Sequence, residues 1–497
     1  MSHSIYLVKT GILSNMSNYF VTTSIPYING EPHLGHAMEF IIADVLARYS
    51  RSKGTPTLFS TGTDEHGSKV AEKAAELGIT PKVLADKNSL TFSELLKQLN
   101  ITNDRFVRTT DPAHEQRAQI IWQELSADIY KSKYIGWYDV RQEEFVPESQ
   151  VDPERTNPSH PQAYQKLEEE NYFFRLSKYQ DRIKSAIESG EFRIVPDAKR
   201  NEILSLFKEG LDDISISRPK EKISWGIPVP GDDTQVMYVW FEALMNYITV
   251  LGYPEHDDFK KFWPADVQVV GKDISRFHAA IWPGMLLGLG LPLAGTLYVH
   301  GFVNINGQKM SKSIGNVVAP QEIISRYGTD AFRYYFLRKV PSYNDGDFSW
   351  ELIDKAYNNE LANELGNAVQ RTIVMIEKYQ NGLIGDIPKS RHDEGPYNDA
   401  IAECRFDRAL DDVWERVRGL NQYIDEEKPW VVAKEGDEAH LTEVLAYMVS
   451  CLMEIAELLV PFMPETAQKI SNIFSEGIIR KPEGVLFPRI DTITAAA

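Results

Sequence analysis

Two stretches near the start of the chain repeat one plan, in which a short β-rich run empties into a polar, glycine-containing loop and then a helical segment. The first is YFVTTSIP (Tyr19–Pro26), followed by YINGEPHLGH and by AMEFIIADVLARYSRSKG, whose apolar residues fall at helical spacing. The second is TLFSTGTDEHG followed by SKVAEKAAELG, which stops at Gly78. Consecutive strand–helix units of this kind constrain the fold more than any other feature of the chain. They call for a mostly parallel sheet with helices on its faces.

The rhythm breaks near Asp128. From there to about Lys222, WYDVRQEEFVPESQVDPERTNPSHP and a run of charged helices lack strand–helix alternation and read as an insertion. The alternation resumes with VMYVWFEALMNYI, ADVQVVGKDISRFHAAIWPGML and GTLYVHGFVNINGQKMSKS, and beyond about Tyr357 long segments with three-and-four spacing predict a helix bundle. The expected organisation is an α/β domain in two halves, 1–127 and 223–356, an insertion over 128–222, and a helical domain over 357–497. At roughly 150 residues per domain, 497 residues suit about three such units. A net charge of −18 excludes indiscriminate coating of nucleic acid but leaves room for a local basic patch. Two cysteines, Cys404 and Cys451, exclude a disulfide scaffold and fit a reducing, cytoplasmic location. The first twenty residues read poorly as a targeting signal, and the most apolar stretch, around Trp282 to Leu293, is too short to span a bilayer, so no membrane segment is expected.

Three loops carry residues suited to chemistry. PHLGH (Pro32–His36) stands at a strand-to-helix junction, where free N–H groups and the helix dipole favour anions. His33 and His36 can face one side, and Gly35 lets a flat ring or phosphate approach the backbone; two satisfied surface histidines would give the same string. GQKMSKS (Gly307–Ser313) sets Lys309 and Lys312 in a loop able to close over a polyphosphate, or in a solvated lysine turn. TGTDEHG offers Asp64 and His66 to whatever binds above the sheet, and Asp64 can hold an ammonium group or form a turn. Trp240, Ala243 and Tyr247 fall on helical spacing, and His278 and Trp282 lie one turn apart; such stripes serve a core as readily as a pocket for a thioether. GTDEHGSK lacks the G-K-[ST] order of a phosphate loop, GxGxxG is missing, and His114–Glu115 lacks the second histidine of HExxH. The GKD at Gly271–Asp273 is a weak signal alone.

Taken in order, SIPYINGEPHLGH, TGTDEHG, VMYVWFEA, VVGKDISRFHAAIWPGML and HGFVNINGQKMSKSIGN resemble the methionyl-tRNA synthetases, class I aminoacyl-tRNA synthetases whose ATP site pairs HLGH with KMSKS. The similarity runs from about Tyr19 through the helical end, in a bacterial-type short form. It implies a Rossmann-like parallel-sheet catalytic domain interrupted by a connective insertion and followed by a C-terminal α-helical bundle. It also implies a methionine–tRNA ligase that makes methionyl-adenylate from L-methionine and ATP with Mg²⁺, then esterifies the terminal ribose of tRNA(Met). Carried onto this sequence, the ATP-site residues are His33, Gly35, His36, Gly271, Lys309 and Lys312, the two histidines and two lysines being the catalytic ones. The methionine pocket is similar to Ile25, Tyr27, Trp240, Ala243, Leu244, Tyr247, Ile274, His278 and Trp282, with Asp64 on the amine and Tyr27 and Trp282 closing over the thioether. Anticodon reading falls to Asn367, Arg371 and Trp430, where an aromatic ring stacks on a base and amide and guanidinium groups read its edge.

The chain departs from much of the family in the insertion, where zinc is often held in CxxC pairs. Asp139 and Gln142 stand where thiolates would be expected, so no structural zinc is expected. Without the appended tRNA-binding domain that makes some members dimers, a monomer is expected. The rival readings are a class I synthetase for another apolar or sulfur-bearing amino acid, an inert tRNA-binding protein that kept the fold, and an adenylyl-transfer enzyme that uses no RNA. Rejection of homocysteine by cyclisation of its thiol is a further family property that the resemblance implies.

Overall fold

The computed structural model describes residues 18–139, 144–146, 151–158, 160, 163–310, 315–388, 393–475, 478–480 and 484–491. Its central sheet is built from β1 (Tyr19–Thr23), β2 (Thr57–Thr63), β3 (Arg105–Arg108), β4 (Arg193–Val195), β5 (Val267–Gly271) and β6 (Thr296–His300). The strands lie in the order β3-β2-β1-β5-β6-β4, every pairing parallel. β1 and β5 are buried along their whole length, as expected of central strands covered on both faces, and they bury Thr22, Thr23 and Gln268 along with their apolar residues. The winding reverses between β1 and β5. In a sheet of this kind the crevice at the carboxyl ends of those two strands is where ligands bind.

The helix Leu34–Ser52, leaving β1, is buried nearly all round because it has the sheet on one side and the helix Thr329–Arg338 on the other. Asp44, fully buried on this helix, meets Arg333 at 2.8 Å and Arg48 at 2.7 Å. Arg333 is itself fully enclosed and donates to the carbonyls of Leu99, Pro461 and Phe462, so one guanidinium joins the α/β half to the helical half.

Residues 128–222 hold a second, antiparallel sheet in which Ile129–Asp139 runs against Gln165–Phe174, flanked by Glu144–Val146 and Ile214–Ser215. The same stretch also returns β4 to the edge of the central sheet, where Arg193 pairs with Thr296. Asp139 is tied to Arg155 at 2.5 Å, and Gln142 lies outside the described residues. Both cysteines are buried in the helical half, and no group of three His, Cys, Asp or Glu among the described residues could hold a metal ion. No described helix is long and apolar enough to cross a membrane.

The helical half is organised by two 22-residue helices, Phe406–Glu427 and Glu438–Leu459, packed with Asn367–Gln380 and Pro464–Ser475. One continuous apolar core runs from Tyr19 to Phe487 across both halves.

Candidate active site

Each loop at the carboxyl ends of β1, β2 and β5 brings one part of the site. After β1, His33 takes extended backbone angles (φ −126°, ψ 177°) and caps the helix Leu34–Ser52 with its own ring. Nδ1 of His33 accepts from the amides of Gly35 (3.1 Å) and His36 (3.4 Å), and Nδ1 of His36 accepts from the amide of His33 (3.3 Å). The two rings stack with centroids 3.6 Å apart and planes 16° from parallel. A ring nitrogen that accepts carries no proton, so in each neutral imidazole the proton sits on Nε2. Burial, then the neighbouring His33 and His300, push the His36 pKa well below the ordinary histidine range. Two of the amides that the sequence suggests for an anion are thus occupied by His33. The pair offers Nε2–H donors instead. A Cβ on Gly35 would lie 3.0 Å from Cε1 of His33, so any larger residue there presses on the stacked cap.

After β2, Asp64 is buried and makes an isolated parallel bridge with Tyr27, its amide donating to the Pro26 carbonyl at 2.9 Å. The loops behind β1 and β2 therefore form one short continuation of the sheet. Tyr27 is half-buried, with Lys69 Nζ 5.5 Å from its ring centroid, and Ile25 is half-buried beside it. His66, two residues on, differs from expectation: it faces inward, is 2% exposed, and its Nδ1 lies 2.7 Å from Glu242 Oε1.

After β5, Gly271 is buried, and the chain continues through Ile274 into one turn of π-helix, Phe277–Ile281. His278 Nδ1 is 3.0 Å from the Ile274 carbonyl, which can only accept, and its Nε2 is 2.7 Å from the Tyr247 hydroxyl. The proton is on Nδ1, and Tyr247 donates to Nε2. Burial, opposed by the Ile274 carbonyl, lowers the His278 pKa to about 4. The neutral form therefore prevails near pH 7. Trp240, on the short helix Val239–Leu244, is half-buried and stacks on Phe277 at 4.1 Å, while Ala243, Leu244 and Tyr247 are buried beneath it. Tyr27, Trp240 and Ile274 thus border one apolar cluster from its partly exposed side. Trp282, expected beside Tyr27 over a thioether, is enclosed deeper, its ring 5.7 Å from Tyr247 and 5.9 Å from Trp263.

A sequence profile for tRNA synthetases class I (M) matches residues 19–166 and 159–373. A methionine–tRNA ligase of Brucella melitensis biotype 1 is 42% identical over 478 residues, spanning 92% of this chain and 92% of that protein. Among solved structures, the Mycobacterium tuberculosis methionyl-tRNA synthetase in complex with methionyl-adenylate superposes with a TM-score of 0.89 at 37% identity, covering 95% of this chain and all of that one. The ligand-free form of the same enzyme gives 0.82 at 33% identity, covering 96% and 99%. This chain belongs to the methionyl-tRNA synthetase family.

Of the family's second signature, Lys309 is described and Lys312 is not. Lys309 is exposed on a two-residue hairpin between Val303–Ile305 and Gln308–Lys309, turned by Asn306 and Gly307 at φ 52° and 74°. Its Nζ lies 5.1 Å from the Phe302 ring centroid and that of Lys272 lies 4.2 Å from the same ring, so the hairpin leans on the GKD loop after β5. In the helical half, Lys428 in the left-handed region ends Phe406–Glu427, and Pro429 starts the next helix, which puts Trp430 in its first turn. Arg371 lies 5.7 Å from the Trp430 ring and is ion-paired to Asp425 at 2.7 Å; Asn367 is exposed one turn earlier on the same helix.

Sequence reasoning missed four buried groups behind the family's site. Glu39 accepts from the Ser24 amide and hydroxyl and meets His300 Nε2 at 2.9 Å, joining the ends of β1 and β6 under the histidine cap. Glu242 meets both His66 and His114. The available signal was a lone carboxylate in an otherwise apolar run: Glu39 in AMEFIIA and Glu242 in VWFEALM.

Proposed function

We propose that the chain is a methionine–tRNA ligase that activates L-methionine with ATP, supplied as its magnesium complex, and transfers it to the 3′-terminal ribose of tRNA(Met). The observation that carries this reading is convergence at the switch point. Neutral histidine donors follow β1, an acidic bridge follows β2, and Trp240 stacks on Phe277 beyond β5, in a chain belonging to this family.

The methionine carboxylate attacks the α-phosphorus of ATP, pyrophosphate leaves, and a ribose hydroxyl of tRNA then attacks the acyl carbonyl and expels AMP. No protein nucleophile takes part. The Nε2–H groups of His33 and His36 stabilise charge on the phosphate oxygens without bringing a proton to be lost, and Gly35 and Gly271 allow the nucleotide close to the backbone. Lys309 and Lys312 supply positive charge to the departing pyrophosphate. Asp64 receives the ammonium group. Ile25, Tyr27, Trp240, Ala243, Leu244, Tyr247, Ile274, His278 and Trp282 form the side-chain pocket, which is apolar enough for a thioether and uses His278 and Tyr247 as a neutral polar pair.

Asn367, Arg371 and Trp430 read the anticodon, an assignment supported by the guanidinium set beside a half-buried indole. The net charge of −18 keeps copies of the chain apart and suits a monomer, which light scattering tests. Charging assays test the whole reading: Trp430→Ala should lower charging of tRNA(Met) by about tenfold or more, as expected for loss of one stacked base, and leave ATP–pyrophosphate exchange with methionine intact. Equal loss of both activities, or charging that ignores an altered anticodon, would overturn the anticodon assignment.

A further inference from the structure

Behind the crevice lies a run of buried polar contacts that the reaction leaves unused. Glu242 is fully enclosed, and its two oxygens face different histidines: Oε1 lies 2.7 Å from His66 Nδ1 and Oε2 lies 3.0 Å from His114 Nε2. Both histidines are 2% exposed. A carboxylate accepts, so both imidazoles donate to it. His114 Nδ1 continues to Thr249 Oγ1 at 2.8 Å, and the other nitrogen of His66 faces Glu115 Oε1 at 3.7 Å.

Burial alone would raise the Glu242 carboxyl; the two imidazoles reverse this and hold it below the usual range. Burial would likewise lower His66, and Glu242 together with Glu115 and Glu65 raises it instead. Apolar side chains of the same volume would fill this space with no ionic group to desolvate. What the ionic arrangement adds is direction, because each bond admits one geometry.

Three separate segments meet at Glu242. His66 stands two residues beyond Asp64, Glu242 lies between Trp240 and Ala243, and His114 sits on the helix Pro112–Glu124. We propose that Glu242 is a positioning residue for the ammonium subsite, fixing the Asp64 loop against the Trp240–Ala243 wall by holding His66 and His114 at once. The inference rests on the reading of Asp64 and Trp240 as methionine contacts. It separates two classes of ligand: those with an ammonium group depend on the loop being held, and those without one do not.

The experiment compares binding of L-methionine with that of its des-amino counterpart, 4-(methylthio)butanoate, by calorimetry, with thermal unfolding run in parallel. Glu242→Gln keeps the volume but cannot accept from both imidazoles; it should weaken methionine by about tenfold and change the des-amino compound less than about twofold, as expected for one lost charge-assisted bond. In exchange kinetics the methionine KM should rise more than kcat falls. His114→Gln, whose amide N–H can occupy the place of Nε2–H, should recover most of the affinity lost in His114→Leu. Equal weakening of the two ligands by Glu242→Gln, or no weakening of either, overturns the proposal. If Glu242→Gln does not fold, the His114 pair decides, and equal loss in both variants overturns it. Asp64→Asn keeps the two readings apart. Should it weaken both ligands equally, the ammonium role of Asp64 is wrong; should it be selective while Glu242→Gln is not, only the positioning role fails.

Discussion

Three histidines, His36, His278 and His300, are held in different protonation states by their surroundings. His300 Nδ1 faces the Gly301 carbonyl at 2.9 Å and its Nε2 faces Glu39 at 2.9 Å, so both nitrogens meet acceptors and both carry protons. Burial works against this cation, but Glu39 and the Gly301 carbonyl outweigh it and raise the pKa. Burial is what chiefly keeps His36 and His278 neutral, and for His36 the neighbouring His33 and His300 add to it. The stability signs are opposite. The contribution of His300 is complete below the ordinary histidine range and is lost as pH rises through its raised value; that of His278 is complete above the ordinary range and is lost as pH falls toward about 4. Ring ¹⁵N NMR at pH 7 should find His300 doubly protonated and His36 and His278 singly protonated, with the proton of His278 on Nδ1. A neutral His300 at pH 7 would refute this arrangement. None of it was legible from composition or spacing, because Glu39 and His300 lie far apart in sequence and the tautomers follow from which atoms face each ring.

At the scale of elements, periodicity was a good guide and contact was not. The strand–helix units and the helical half carry local signals strong enough to be read directly, since turn glycines and three-and-four spacing act within a few residues. β4 was hidden, because three residues, RIV, inside a charged stretch have no periodicity to show and belong to the sheet only through pairing with β6. The hand-over from β6 to the Lys309 hairpin depends on Gly301, where a Cβ would come within 2.3 Å of the Asn344 carbonyl oxygen. Backbone cannot yield as a side chain can, so Gly301→Ala should displace the hairpin, destabilise the protein by about 1–3 kcal/mol in urea unfolding, and slow methionine-dependent exchange. Unchanged stability and rate would mean that Gly301 is a passive linker.

For the whole molecule, the sharpest claim is that the two halves fold as one. Their shared core runs from the first strand to Phe487, and Arg333 crosses it with three carbonyls and Asp44 in reach of one guanidinium. Arg333→Leu leaves Asp44 with Arg48 and Thr102 but strips three buried carbonyls of their donor, for an expected loss of about 3 kcal/mol or more. Calorimetry should then show a single transition moved to lower temperature; two resolved transitions in the parent protein would contradict the shared core. The central claim remains the amino acid that this molecule activates. ATP–pyrophosphate exchange run separately with each of the twenty amino acids tests it most directly: exchange should depend on methionine, and dependence on leucine, valine or cysteine instead, or no exchange by the folded protein, would contradict it.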